Sequence, residues 1–331
     1  MICDFYRHLV QILETEPIAL ATIISIQGSV PREVGAKMGI WGDGRILGSI
    51  GGGAGEAKVI QQASTVLATG DQQWVEIDLS GSPQRETQGV CGGTMQVLVQ
   101  RWSGDWAIAL VHQILTHLEA GHPVTLVTPL TSTALPHLVI PHSTPFPHST
   151  PFPHSAPFPH STFTETLQPS PLLLIVGAGH VGEQLAQVAH LIGFQIAVQD
   201  DRPEWANRDR YPQAAHIFNQ SIPDTLAQLT QHLYLSATLV TRGYQSDLAA
   251  LQALLRRKLP CEYIGMIGSQ RRVKQVYQAL ETDIPKEKLA AIYAPIGLDI
   301  GALTPAEIAV SIAAELILVR RGGSGKPLSK K

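Results

Sequence analysis

Gly177, Gly179 and Gly182 stand in the run Leu172-Leu-Leu-Ile-Val-Gly-Ala-Gly-His-Val-Gly182, directly after an apolar segment and at the start of an amphipathic one. In a strand–turn–helix of this kind the first glycine permits the tight turn, and the second lets phosphate oxygens reach backbone amides. The third lets the helix lie close to the sheet. The helix N-terminus favours negative charge, so the expected chemistry is the seating of a ligand phosphate. Asp200 follows the next strand, where an acid commonly bonds a ribose hydroxyl. His180 lies within the turn, where it either meets the phosphate or covers the helix start. Thr241-Arg242-Gly243 and Gly265-Met-Ile-Gly268-Ser269 come near the carboxyl ends of later strands, the edge that lines the ligand crevice in such sheets. Arg271, Arg272 and Lys274 open a helix against the dipole preference, which reads as an anionic ligand, a partner surface or a solvated basic face. A hydride-transfer enzyme would need a catalytic acid or base and a substrate pocket as well, and no such constellation accompanies the turn.

Two further clusters read as ligand loops. Gly51, Gly52 and Gly53, followed by Ala54-Gly-Glu56, stand at a strand-to-helix junction, where successive glycines let backbone amides converge into an anion nest. Glu56 falls in the first helical turn, where its charge suits the dipole with or without a ligand. Cys91, beside Gly92 and Gly93, is placed for thiolate contact to a soft metal or for sulfur exchange; the other reading is a small buried hydrophobe.

The elements that must position these residues divide into two patterns. Before residue 130 the chain reads as a mixed α+β domain. It has a helix over 5–14, a strand over 19–26, a hairpin of 38–41 and 46–50, a helix over 57–67, and strands over 74–79 and 95–99. After residue 168 strand and helix alternate: strands over 172–176, 195–199, 215–218, 238–240 and 262–267, and helices over 181–192, 223–232, 247–257 and 271–280. This predicts a Rossmann-type doubly wound parallel sheet, an α/β domain. A last helix opens at Thr304-Pro-Ala-Glu307, a capping box with proline at the first helical position, and packs back through Ile308, Ile312 and Leu316. The expected domains are 1–130 and 169–322, joined by a linker over 131–168, with a flexible tail over 323–331. The linker contains a six-residue repeat, Pro141-His-Ser-Thr-Pro-Phe146 and its copies, with seven prolines between Pro141 and Pro159. Such a segment favours solvated polyproline II, in which His142, His148, His154 and His160 would stand roughly 19 Å apart, too far for one metal to bridge.

With 44% hydrophobic and 15% charged residues, the chain has the composition of a globular protein, and no apolar run approaches the roughly 20 residues that span a bilayer. The N-terminus lacks the basic-then-apolar layout of a secretory signal, and three scattered cysteines form no disulfide framework, so a cytoplasmic location is expected. A net charge of −3 gives no electrostatic drive toward nucleic acid.

Taken together these residues resemble the xanthine dehydrogenase accessory protein family, XdhC/CoxI. The resemblance covers Gly28-Ser-Val-Pro-Arg32, Gly35-Ala-Lys-Met38, the Gly51 loop and Cys91-Gly-Gly93 in the first half. In the second it covers the Gly177 turn, Asp200-Asp-Arg-Pro-Glu204, Tyr263-Ile-Gly-Met-Ile-Gly-Ser269, and Ala294-Pro-Ile-Gly-Leu-Asp-Ile-Gly301 with Thr304-Pro-Ala-Glu307. Ala54 stands where many relatives carry cysteine, and Arg242-Gly243 where many carry a His-Asp pair. The resemblance implies a molybdenum cofactor chaperone with no turnover chemistry of its own. It would hold the molybdopterin form while a cysteine desulfurase replaces an oxo ligand by sulfur, and deliver it to an apo molybdenum hydroxylase of the xanthine dehydrogenase or CO dehydrogenase type. The cofactor-binding residues it implies are the Gly51 and Cys91 loops, the Gly177 turn, Asp200, Arg242, Gly268 and Ser269, with Cys91 the metal contact. A homodimer is left open, and so is the alternative of an NAD(P)-dependent oxidoreductase using the same turn.

Overall fold

A computed structural model describes residues 2–79, 92–131, 135–139, 161–230 and 232–329. The chain divides into two compact units, Met1–Pro169 and Ser170–Lys331.

In the first unit, α1 (Ile2–Leu13), β1 (Ile18–Gln27), β2 (Lys37–Ile40), β3 (Ile46–Gly48), α2 (Gly53–Thr69), β4 (Gln73–Asp78) and β5 (Thr94–Trp102) are followed by α3 (Gly104–Glu119), β6 (Val124–Pro129), β7 (His137–Val139) and β8 (Thr162–Leu167). The first five strands form an antiparallel sheet in the order β3-β2-β1-β5-β4. Strand β1 is buried on both faces over Ile18–Ile24, which fits a run there that is apolar but for Thr22. Ala19, Ala21 and Ile23 pack with Val59, Ala63 and Val66 of α2, while Ile18 and Leu20 pack with α1 and α3. Helix α3 lies outside the elements expected from sequence, although Ala107, Leu110, Val111, Ile114, Leu115 and Leu118 line its buried face at helical spacing. Strands β7 and β8 both pair with β6 in a three-stranded antiparallel sheet. The stretch expected as a linker over 131–168 therefore ends in sheet strands on both sides, and its repeat over 141–160 lies outside the described residues.

In the second unit, β9 (Leu172–Val176), α4 (His180–Leu191), β10 (Gln195–Gln199), β11 (His216–Phe218), α5 (Ile222–Gln228), β12 (Leu235–Leu239), α6 (Tyr244–Leu255), β13 (Tyr263–Met266), α7 (Gln270–Leu280), α8 (Lys286–Ala290) and α9 (Pro305–Arg321) follow in turn. All five strands are parallel, ordered β11-β10-β9-β12-β13, so the doubly wound sheet expected from the alternation is present. Helices α4 and α9 cover one face, through Leu185, Ala189, Ile312 and Leu316. On the other face α5, α6 and α7 pack through Leu226, Leu251 and Val276. The strand order reverses between β9 and β12, the switch point at which open α/β sheets bind ligands. Among the described residues, no helix is long and apolar enough to cross a membrane.

Candidate functional site

The Gly177 turn joins β9 to α4 at that switch point. Gly177 has φ +105°, a region that excludes most side chains, and a Cβ there would lie 2.6 Å from the Val240 carbonyl oxygen. A Cβ on Gly182 would meet the Gly177 carbonyl oxygen at 2.4 Å and Ile175 at 3.3 Å, so this glycine lets α4 approach the sheet. Around Gly179 nothing lies within 4 Å of the corresponding position, and its helix has no side-chain cap. Two of the glycines are thus filled against by the protein, and the third faces open space beside uncapped amides.

Asp200 departs from its expected role toward a ribose. The residue is 5% exposed, and its Oδ2 accepts from the Ala178 amide (2.8 Å) and Arg202 Nη2 (2.9 Å), while Oδ1 accepts from the Arg202 amide (3.1 Å) and Nε (2.8 Å). Four bonds fill a carboxylate's acceptor sites. Burial would push its pKa up, but the Arg202 guanidinium and the Ala178 and Arg202 amides outweigh it and hold the pKa at about 2. Asp200 is therefore a clasp on the turn. Arg210 supplies a second one, donating to the Ala178 carbonyl (3.0 Å) and pairing with Glu183 in the first turn of α4. The ring of Trp205 lies 4.8 Å from the Arg202 guanidinium carbon and 4.5 Å from that of Arg210, with His180 edge-on at 5.8 Å. Neither Trp205 nor Arg210 is visible as a site residue in the sequence, because their contacts to the turn, with His180 for Trp205 and with Ala178 and Glu183 for Arg210, reach more than twenty residues back in the chain.

Across the switch point, Arg242 is exposed and pairs with exposed Asp201 (3.0 Å). Beneath it Asp247 is fully buried, accepts from Thr241 Oγ1 (2.5 Å) and pairs with Arg272. Burial pushes the Asp247 pKa up, and the Thr241 hydroxyl and Arg272 only partly offset it. Of the three cations at the start of α7, Arg272 thus has an internal partner, while Arg271 and Lys274 face solvent. Ser269 caps α7, its hydroxyl accepting from the Arg272 amide, and the side chain of Arg272 lies 3.3 Å from a Cβ built on Gly268. Gly268 and Ser269 accordingly serve the helix start.

The Ala294–Gly301 loop is fixed from below. Buried Glu315 accepts from Tyr263 Oη (2.5 Å) and the Gly297 amide (2.9 Å), and Ser311 donates to the Leu298 carbonyl (2.6 Å). The loop leads into the Thr304 capping box of α9, present as expected. There His180, Glu183 and Gln184 of α4 and Thr304, Pro305 and Ala306 line a cavity of about 300 Å³.

In the first unit three of the motif segments converge. Gly28 approaches Gly92, whose carbonyl oxygen would be 2.9 Å from a Cβ there, Gly93 lies against the Gln27 and Ser29 carbonyls, and Gly51 packs on Pro31. Gly52, Gly53 and Ala54 are exposed at the start of α2. The nest expected at Gly51–Gly53 exists, but Glu56 fills it. A single carboxylate oxygen accepts from the Ser49 hydroxyl (2.7 Å) and the amides of Ile50 (3.0 Å), Gly51 (3.2 Å) and Gly52 (2.9 Å). Burial opposes the charge of Glu56, and the Ser49 hydroxyl and these amides override it and lower the pKa. Lys37 of the Gly35–Met38 segment is buried and pairs with buried Glu165 of β8 at 2.5 Å. Cys91, the expected metal or sulfur contact, lies outside the described residues. Among those described, no group of three or more His, Cys, Asp or Glu could hold a metal ion.

Comparison with known proteins bears on both units. Residues 173–316 match a family model described as the XdhC Rossmann domain, and residues 12–78 one described as the XdhC and CoxI family. A Bacillus subtilis (strain 168) protein, named as a probable subunit of xanthine dehydrogenase, is 29% identical over 338 residues, covering 96% of this chain and 98% of its own. An Escherichia coli (strain K12) protein named molybdenum cofactor insertion chaperone PaoD is 24% identical over 302 residues, covering 91% and 83%. A crystal structure from Bacillus halodurans, described as a xanthine dehydrogenase, superposes with a TM-score of 0.80 at 27% identity and 98% coverage of both chains.

Proposed function

The chain belongs to the XdhC and CoxI family, and on that premise we propose that it binds molybdenum cofactor as cargo and supports its insertion into an apo molybdenum hydroxylase of the xanthine dehydrogenase type. The observation that carries this reading is the asymmetry of the Gly177 turn. Gly179 faces open space beside uncapped amides, while the Asp200 carboxylate, which would read a ribose diol, is already saturated by Ala178 and Arg202. Molybdopterin ends in a phosphate monoester and carries no ribose, so it uses what the turn offers and needs nothing the turn withholds. Arg242 at the crevice edge can exchange its exposed partner Asp201 for a phosphate oxygen at little cost, since exposed ion pairs contribute about 0–1 kcal/mol. Sulfuration of the held cofactor by a cysteine desulfurase belongs to the same reading, with Cys91 and the Gly92–Gly93 loop as its contact in the first unit. The location is cytoplasmic.

The test is purification of the full chain from cells with and without molybdopterin synthesis, followed by analysis of bound molybdenum, pterin and nicotinamide. Molybdenum and pterin are expected only from the first cells, and Gly179→Ala reduces both. Bound nicotinamide with hydride transfer and no pterin would overturn the proposal in favour of an NAD(P)-dependent oxidoreductase. Cys91→Ala tests the sulfur contact separately, because undiminished activation of the hydroxylase would show the thiol dispensable.

A further inference from the structure

The cavity between α4 and α9 adjoins the phosphate turn, since His180 follows Gly179 directly in the chain and lines the cavity wall. At about 300 Å³ it reaches the size range of small-molecule sites, roughly 300–1,000 Å³. Its polar groups are specific. Glu183 is half-buried and clamped by Arg210 through Oε2, and among the described residues Oε1 has no hydrogen-bond donor. Gln184 adds an amide with both donor and acceptor capacity. The amides of Leu303 and Thr304 on the opposite wall are already taken by Glu307, so α9 contributes shape, through Pro305 and Ala306, and few free donors.

We propose that this cavity recognises a 2-amino-4-oxopyrimidine edge, the face shared by pterins and guanine, of a ligand whose phosphate rests on the Gly177 turn. Such an edge presents two N–H donors side by side, which a carboxylate accepts, and a carbonyl oxygen, which the Gln184 amide can reach. Arg210 ties the two halves of the site together. One guanidinium holds both Glu183 and the Ala178 carbonyl of the turn, fixing the carboxylate relative to the phosphate seat. An adenine or nicotinamide ring offers no matching pair of donors. The inference rests on the proposed cargo role and adds the residues that would choose among phosphorylated heterocycles.

The test measures binding of isolated molybdopterin, GMP and AMP to the full chain and to the variants Glu183→Gln and Ala306→Phe. Glu183→Gln weakens the charged acceptor, and exposed Ala306 can carry a phenyl ring into the cavity without touching the core. Expected is binding of molybdopterin or GMP in preference to AMP, with the tighter of the two identifying the ligand's source. Each variant should weaken it about tenfold or more, as loss of a hydrogen bond to a charged group implies, and Glu183→Gln should erase the preference over AMP. Inorganic pyrophosphate should bind wild type and variants alike. Molybdopterin binding that is unchanged in both variants would overturn this inference and leave the cargo role standing. Failure of all three ligands to bind the unmodified chain would overturn both.

Discussion

Substituting Asp200 by Asn separates two roles that a carboxylate after the second strand of a nucleotide-binding fold can play. If the group is a clasp on the Gly177 turn, the energetic consequence follows from its titration. A native pKa of about 2, against an ordinary value of 3.8, corresponds to about 2.5 kcal/mol favouring the charged form in the folded protein. Adding four charge-assisted bonds at roughly 1.5–3 kcal/mol each would give a far larger figure, but that sum ignores the desolvation that opposes them. The titration value already contains that opposition, so about 2 kcal/mol is the better expectation. The sign is fixed by the direction of the shift. Because the folded pKa is depressed, the contribution is complete above pH 4 and disappears as the pH falls toward 2. Urea unfolding of the full chain from pH 7 down to pH 2.5 should show the second unit losing most of this stability below pH 4. Asp200→Asn should be less stable by about 2 kcal/mol at pH 7 and should lack that acid limb. An Asn variant as stable as the parent at pH 7, with the acid limb intact, would refute the clasp.

The glycines of the turn should behave oppositely to one another. Gly179→Ala places a methyl in open space at an ordinary φ of −75° and should leave the melting temperature within about 2 °C of the parent while weakening cofactor retention. Gly182→Ala drives a methyl against the Gly177 carbonyl and should destabilise by about 1–3 kcal/mol in urea titration. Glu56→Ala empties the nest of its own anion, so sulfate should raise the melting temperature of the variant more than that of the parent, and equal responses would argue that the nest collapses. For the buried pair, Glu165→Leu leaves Lys37 uncompensated and should cost about 3–5 kcal/mol. The double variant with Lys37→Met should recover most of it, as measured by chemical denaturation.

What was legible in the sequence follows the range of the interactions involved. The β9–α4–β10 unit stands within a residue of its expected bounds, because its signals are local: a fully buried apolar strand, glycines at fixed offsets and an amphipathic helix. The Thr304 capping box is local too. Strands β6 and β8 were not legible, since each is six residues long and they pair across more than thirty residues that include the Pro/His repeat. The buried partner of Lys37 was hidden for the same reason, because Glu165 lies on the far side of that repeat. Helix α3 is different, for Ala107, Leu110, Val111, Ile114, Leu115 and Leu118 recur at helical spacing and the pattern is plain in the sequence itself.

Spacing alone identifies groups able to bind a ligand; the structure shows whether the protein has already used them. Glu56 and Asp200 both follow glycine-rich turns at positions that suit a ligand; Glu56 is spent on three backbone amides of its own loop, and Asp200 on one amide of the Gly177 turn and on Arg202. The consequence differs between the two sites. At Gly51–Gly52 the internal carboxylate takes the amides a phosphate would need, so any anion must displace Glu56 or bind at the exposed start of α2. At Gly177 the internal carboxylate takes only the Ala178 amide and leaves Gly179 open. The proposed phosphate seat is left open there, and the carboxylate that would read a ribose is taken. A dinucleotide held in the usual way uses both, whereas a phosphorylated pterin needs only the first, and this difference, more than the glycine spacing, is the ground on which a carrier of cofactor is proposed in preference to an oxidoreductase.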